Sequence, residues 1–150
     1  MSSAKRPVLE LRSLDKATHP PARVIENPWW NEIDSAIEKC HKNDGFVYLR
    51  VLLPKNKYVQ KLSLNSLSGV FRLIAITNDE DPKRHLLEWW DPDIFECNEK
   101  IKFDEDEWDS RTISKDWPAV HKIFLELYEN GDLGRDTLKD MRSQWDPKPK

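Results

Sequence analysis

Glycine is scarce in this chain, which has only 4 glycines among 150 residues. Phosphate-binding loops and dinucleotide-binding turns need clustered glycines, because only glycine lets the backbone approach a phosphate closely. The glycines at positions 45, 69, 131 and 134 do not form such a motif. We therefore expect no nucleotide, and we predict that the protein works without a cofactor.

Cysteines and long apolar runs are also few. The two cysteines, Cys40 and Cys97, lack the CxxC spacing and the histidine partners of a zinc site, and they give no disulfide framework. No apolar run reaches the roughly 18 residues of a membrane span. The N-terminus has no apolar signal-peptide core. We therefore expect a cytoplasmic protein with two buried or free thiols and no metal.

Recognisable catalytic sets are missing as well. The four histidines fall in different predicted elements, outside any HExxH or HxH motif, and no serine is flanked by glycines. Paired carboxylates remain a catalytic possibility, because Asp91 with Asp93, or Asp104 with Asp106, could hold Mg²⁺. We predict that the protein is not an enzyme, and the alternative is a metal-dependent hydrolase or nuclease.

Aromatic residues, in contrast, are abundant, with seven Trp, five Phe and three Tyr. They supply apolar area for a core, although 34% of the residues are charged and the mean hydropathy is −0.77. Helical spacing predicts that Trp29, Trp30, Trp117 and Trp145 are core residues. We expect one domain over residues 1–150, with flexible ends at 1–6 and 146–150.

The spacing of apolar residues predicts an α+β fold. Asn27 and Pro28 favour the start of a helix that continues to Lys42. Branched and aromatic runs predict strands at 8–11, 46–53, 58–64, 70–77, 84–90 and 101–103, of which 46–53 is central and covered on both faces. Helical periods return at 114–130 and 133–145. We expect an antiparallel sheet of four to six strands packed against one N-terminal and one or two C-terminal helices.

Charge is concentrated in one stretch, residues 79–109, which we call the acidic segment. It has 13 carboxylates and 4 cations, a local charge of −9, whereas residues 1–78 carry +5 and residues 110–150 carry +1. The cations of the N-terminal half are spread over several predicted elements and favour a mixed, solvated surface. The acidic segment would repel phosphates and attract a basic protein. We therefore predict a protein partner, with no direct nucleic-acid binding and no membrane binding.

Trp90 and Trp108 are the candidate anchors of this binding surface. Adjacent residues of a strand face opposite sides, so one of Trp89 and Trp90 should enter the core while the other emerges beside Asp91. An exposed aromatic side chain inside a polar rim is typical of binding hot spots, and the alternative is that both candidate Trp side chains fold back onto the sheet. The candidate partner-binding residues are Trp90, Asp91, Asp93, Glu96, Asp104, Glu105, Asp106, Glu107, Trp108, Asp79, Glu80 and Asp81. The three at 79–81 are the weaker candidates, because a predicted strand separates them from the others.

The stretch at 103–133, FDEDEWDSRTISKDWPAVHKIFLELYENGDL, resembles small bacterial immunity proteins found beside polymorphic and contact-dependent growth inhibition toxins. The resemblance is carried by Trp108, Asp109, Arg111, Asp116, Val120, Ile123, Phe124, Glu126, Tyr128, Gly131 and Leu133. It implies a cytoplasmic α+β protein without catalysis that binds one cognate toxin, often a basic nuclease. We therefore predict an immunity protein that neutralises such a toxin through its acidic aromatic surface. Besides the hydrolase, an acidic nucleic-acid mimic that inhibits a host enzyme is an alternative.

Overall fold

A large antiparallel sheet forms the centre of the computed structural model, which describes residues 6–17, 22–94, 100–103 and 106–146. The strands of the described residues are β1 (Val8–Asp15), β2 (Ala22–Glu26), β3 (Gly45–Leu53), β4 (Val59–Leu67), β5 (Val70–Thr77), β6 (Leu86–Trp89), β7 (Lys100–Phe103), β8 (Asp106–Asp109) and β9 (Met141–Arg142). Seven of them form one sheet in the order β2-β1-β3-β4-β5-β6-β9, and β7 and β8 form a separate hairpin. The predicted α+β class is confirmed, but the sheet has more strands than the predicted four to six.

The described helices are α1 (Trp30–Asn43), α2 (Trp117–Asn130) and α3 (Arg135–Leu138). The carboxylate of Asp116 accepts a hydrogen bond from the backbone of Ala119 at the start of α2, and Gly131 ends α2 with a left-handed φ of 73°. None of the described helices has the length and apolar character to cross a membrane.

Two of the helix predictions need correction. Helix α1 begins after Trp29 and not at Pro28, because Asn27 has a φ of 51° and the backbone N–H of Trp29 donates to Glu32 at 2.9 Å. The helix predicted at 133–145 is wrong, since helical structure is limited to α3. Met141 pairs with Trp89 on the side of β6 that faces away from β5, and this pairing requires an extended backbone.

The core lies between α1, α2 and one face of the seven-stranded sheet. Phe71 is fully buried there, with its ring 4.9 Å from that of Trp117 and 5.9 Å from that of Trp89. Trp117 is therefore a core residue, as predicted. Trp29 and Trp145 are not, because they lie outside the helices and expose 60% and 63% of their surface.

One of the two predicted thiols lies in this core. Cys40 is a free, fully buried cysteine on the inner side of α1, and burial raises the pKa of its thiol to about 12. Cys97 lies outside the described residues. The thiol of Cys40 is therefore protonated and shielded at neutral pH.

The opposite face of the sheet, which we call the open face, is only partly covered. A row of directly opposed residues crosses it: Arg12, Tyr48, Ser63, Ile74 and Glu88. β3 was predicted to be covered on both faces, but its residues Arg50 and Leu52 are exposed. The hairpin of β7 and β8 covers one end of the open face, where the ring of Trp108 stacks on the guanidinium of Arg72 at 3.5 Å.

The ends of the described chain contact the body of the protein. Arg6 donates a hydrogen bond to the Tyr128 hydroxyl at 2.6 Å. The carboxylate of Asp146 accepts hydrogen bonds from Arg84 at 2.6 Å and from the backbone of Ser143 at 2.9 Å. The rest of the termini that were predicted to be flexible, residues 1–5 and 147–150, lies outside the described residues.

Candidate functional site

The described partner-binding candidates of the acidic segment lie at three places in the fold. Residues 79–81 form the turn between β5 and β6, residues 91–94 follow β6, and residues 106–109 form β8. Of the twelve predicted partner-binding residues, Glu96, Asp104 and Glu105 lie outside the described residues.

The turn at 79–81 uses its carboxylates to hold its own shape. Asp79 accepts hydrogen bonds from the Tyr58 hydroxyl at 2.6 Å and from the backbone of Asp81 at 2.9 Å. The bond from Tyr58 is the main cause of the lowered pKa of the Asp79 carboxyl group, and burial is the main cause of the raised pKa of the Tyr58 phenol. Asp81 accepts from the backbone of Lys83 at 3.0 Å, and Glu80 is exposed. This geometry favours a solvated turn over a binding surface.

Asp91 is a buried carboxylate that fixes the loop after β6. Its side chain accepts hydrogen bonds from the Ser114 hydroxyl at 2.5 Å and from the backbone of Asp93 at 2.8 Å. Its backbone N–H donates to the carbonyl of Arg111 at 2.9 Å. Only 7% of Asp91 is exposed, so the expectation that it lies on the contact surface needs correction.

Three carboxylates come together near this loop. Oxygen atoms of Asp91, Asp93 and Asp116 all lie within 4.8 Å of one another. Asp93 is exposed, and Asp116 reaches the cluster from the start of α2. Sequence reasoning missed Asp116, because its only local signal was that of a helix cap. Carboxylate oxygens are the ligands that Mg²⁺ and Ca²⁺ prefer, so a cation could bind here.

Trp90 is not the exposed anchor that strand alternation predicted. Trp89 and Trp90 are both buried, with 4% and 9% of their surface exposed. Alternation fails because β6 ends at Trp89, and the backbone N–H of Trp90 donates to the carbonyl of Asp140 at 2.9 Å. The guanidinium groups of Arg111 and Arg142 lie 4.4 Å and 5.1 Å from the ring of Trp90, close enough for cation–π attraction.

Trp108 is half-buried and contacts the open face. The guanidinium of Arg72 lies beneath its ring and also forms an ion pair with Glu88 at 2.7 Å. Burial lowers the pKa of Arg72, although the pair with Glu88 opposes this shift. Trp108 therefore follows the alternative in which the side chain folds back onto the sheet, and only its outer surface can contact a partner.

Two arginines near the exposed part of the acidic segment form ion pairs with carboxylates of the protein itself. Arg111 binds Asp109 through two hydrogen bonds, at 3.1 Å and 3.0 Å, and Arg72 binds Glu88. Outside the turn at 79–81, whose Glu80 and Asp81 are also exposed, the candidate carboxylates left on the surface are Asp93, Asp106 and Glu107, which we call the exposed acidic residues. The side-chain carboxylates of Asp93 and Glu107 accept no hydrogen bond and form no ion pair within the described part of the chain.

A model described as "Family of unknown function (DUF6911)" matches residues 12–137. The chain belongs to the DUF6911 family. The match includes β2 to β8, α1 and α2, and with them the exposed acidic residues. No curated protein matches this DUF6911 chain at a significant level.

A solved structure shares the fold of this DUF6911 protein. The crystal structure of a hypothetical protein from Neisseria gonorrhoeae superposes with a TM-score of 0.58 and 13% sequence identity, over 98% of this chain and 99% of the other. At this identity the similarity establishes the fold alone.

Sequence reasoning also missed a group of cations on the open face of the DUF6911 fold. Arg12, Arg50 and Lys61 belong to three different strands, so the sequence indicated a mixed, solvated surface. The register of β1, β3 and β4 brings them to one face. Only the pairing of distant strands could reveal this group.

Proposed function

We propose that this DUF6911 protein is an immunity protein that binds and neutralises a basic, nuclease-type toxin domain and does not itself catalyse a reaction. The observation that carries the proposal is the set of exposed acidic residues, Asp93, Asp106 and Glu107, whose charge faces solvent while the neighbouring arginines are paired internally. A surface of this kind attracts a basic protein and speeds its association.

The environments of the histidines support a binding role over catalysis. The ring of His121 lies between Asp34, at 2.6 Å, and Glu38, at 2.9 Å, and so links α2 to α1. The ring of His41 stacks on Trp117 at 4.0 Å. His85 contacts the carbonyl of Asp79 at 2.7 Å. Each of these three histidines has a structural contact of its own, and His19 lies outside the described residues.

Reversing the exposed charge tests this proposal. The double variant Asp93→Lys/Glu107→Lys should weaken binding to the cognate toxin, which we expect the neighbouring gene to encode, by about tenfold or more at low salt, mainly through slower association. The salt dependence of the affinity should decrease, and the unfolding midpoint should hardly change because both side chains are exposed. Stopped-flow association and calorimetric titration at two salt concentrations measure these effects. Asp91 is left unchanged, since its buried carboxylate supports the loop.

The matched control is Glu129→Lys/Asp136→Lys, which makes the same change of charge at exposed positions on α2 and α3. It should bind the toxin almost as tightly as the unchanged protein does. Equal affinities of the two double variants would exclude the exposed acidic residues from the interface.

A metal-dependent hydrolase is the second candidate, favoured by the cluster of Asp91, Asp93 and Asp116. We expect only weak binding of Mg²⁺, Mn²⁺ or Ca²⁺, with dissociation constants above about 1 mM, because Asp91 and Asp116 already accept hydrogen bonds from protein groups. Calorimetric titration of each ion measures this affinity. Micromolar binding that disappears in Asp93→Asn would favour the hydrolase instead.

A further inference from the structure

A groove of about 460 Å³ lies on the open face beside the edge strand β2. Three cations of the open face line it, Arg12, Arg50 and Lys61, each from a different strand. Arg23 of β2 also belongs to the lining, but it pairs with Ser13 and lines a second cavity beside α1 as well. Arg50 and Lys61 stand directly opposite each other across β3 and β4. Their charges are close enough to act together on one bound anion.

The charge of this groove is not cancelled by its own carboxylates. Glu10 is the acidic residue among its lining residues, and it accepts a hydrogen bond from Arg12 at 3.1 Å. Arg12 still exposes 58% of its side chain. Glu10 also stands directly opposite Arg50 on β3 and Glu26 on β2, and Glu26 does not line the groove. The groove therefore keeps a net positive charge and fits an anionic ligand.

The apolar lining of the groove indicates which kind of anion fits. The rings of Phe46 and Tyr48 stack on each other at 4.4 Å, and the ammonium group of Lys61 lies 4.7 Å from the Tyr48 ring. The ring of Tyr48 thus already contacts two side chains of the protein. Single-stranded nucleic acids bind best to aromatic rings whose faces are free for bases. Val24, more than half of which is exposed, adds an aliphatic surface.

The surroundings of the groove also disfavour a phosphate backbone. Phe46 lines both this groove and the neighbouring cavity that contains Asp106 and Trp108. A nucleic acid leaving the groove at this end would meet the negative charge of the hairpin. A peptide can instead place carboxylates only where the cations are and apolar side chains where the rings are.

We propose that this groove binds an extended acidic polypeptide segment of a partner protein. Its carboxylates pair with Arg12, Arg50 and Lys61, and its apolar side chains pack on Val24, Phe46 and Tyr48. The groove is separate from the exposed acidic residues, so this proposal does not depend on the proposed function.

Fluorescence anisotropy with a labelled peptide of alternating Glu and Val tests the proposal. We expect a dissociation constant of about 10–100 µM at low salt, typical of a weak peptide site and weakened by added salt. The variant Arg50→Gln/Lys61→Gln should bind the peptide about tenfold more weakly. The control Lys122→Gln/Lys139→Gln removes the same charge from exposed positions outside the groove and should bind like the unchanged protein. Unfolding midpoints of all variants confirm that the fold is retained.

A labelled single-stranded oligothymidylate serves as the competing probe. Tighter binding of this probe than of the peptide would overturn the proposal in favour of a nucleic-acid site. The proposal would also be overturned if neither probe bound, or if both double variants lost peptide binding equally.

Discussion

Replacing Arg72 by Met should lower the free energy of unfolding by about 3–5 kcal/mol, the range for breaking a buried ion pair from one side. The side chains of Arg72 and Glu88 are only 8% and 13% exposed. The substitution removes the guanidinium group that pairs with the Glu88 carboxylate. It also removes the cation beneath the ring of Trp108. Urea unfolding followed by circular dichroism measures the loss.

The double variant Arg72→Met/Glu88→Leu provides the control. Because both charges are then removed, it should recover most of the stability that the single variant loses. A double variant that loses as much as the two single variants together would show that the two residues do not act as a pair. The pair bears on the proposed function, since the ring of Trp108 in the hairpin with Asp106 and Glu107 stacks on Arg72.

Replacing Phe71 by Ala should cost about 3–5 kcal/mol, as large-to-small substitutions in a packed core do. The fully buried ring joins Trp89 of the sheet to Trp117 of α2. The backbone of Phe71 also pairs with Ser114, whose hydroxyl donates to Asp91. The core and the loop after β6 should therefore lose order together.

Thermal and urea unfolding measure the effect of this substitution, and Phe71→Leu is the control. Leu fills more of the cavity than Ala does, so its cost should be clearly smaller. A loss below about 1 kcal/mol for Phe71→Ala would contradict the central position that we assign to this ring.

The elements that the sequence predicted well have strong local signals. The strand at 70–77 is β5 itself, because a run of branched and apolar residues, with Arg72 as its one charged member, favours an extended chain. The helical period predicted at 114–130 contains α2, which begins at Trp117 after its cap Asp116 and ends before Gly131, the glycine that indicates the end of the helix. In contrast, β2 and β9 are short strands that are stabilised by pairing with β1 and β6, and no local sequence pattern indicated either of them.

The candidate site was harder to predict for the same reason. The exposed or buried state of Asp91 and Trp90 depends on Ser114, Arg111 and Arg142, which are distant in sequence. Charge composition drew attention to the acidic segment but could not separate structural carboxylates from exposed ones. The cationic groove depends on the register of four strands, and that register is a property of the whole sheet.

The most direct test of the proposed function is a binding and rescue experiment with the product of the neighbouring gene, which the proposal expects to be the toxin. We predict a one-to-one complex with a nanomolar dissociation constant at low salt, and loss of the toxin's nuclease activity when this protein is present. Growth of cells that produce the toxin should be restored by co-expression. The absence of a complex at micromolar concentrations, or a complex that leaves the toxin fully active, would contradict the proposal.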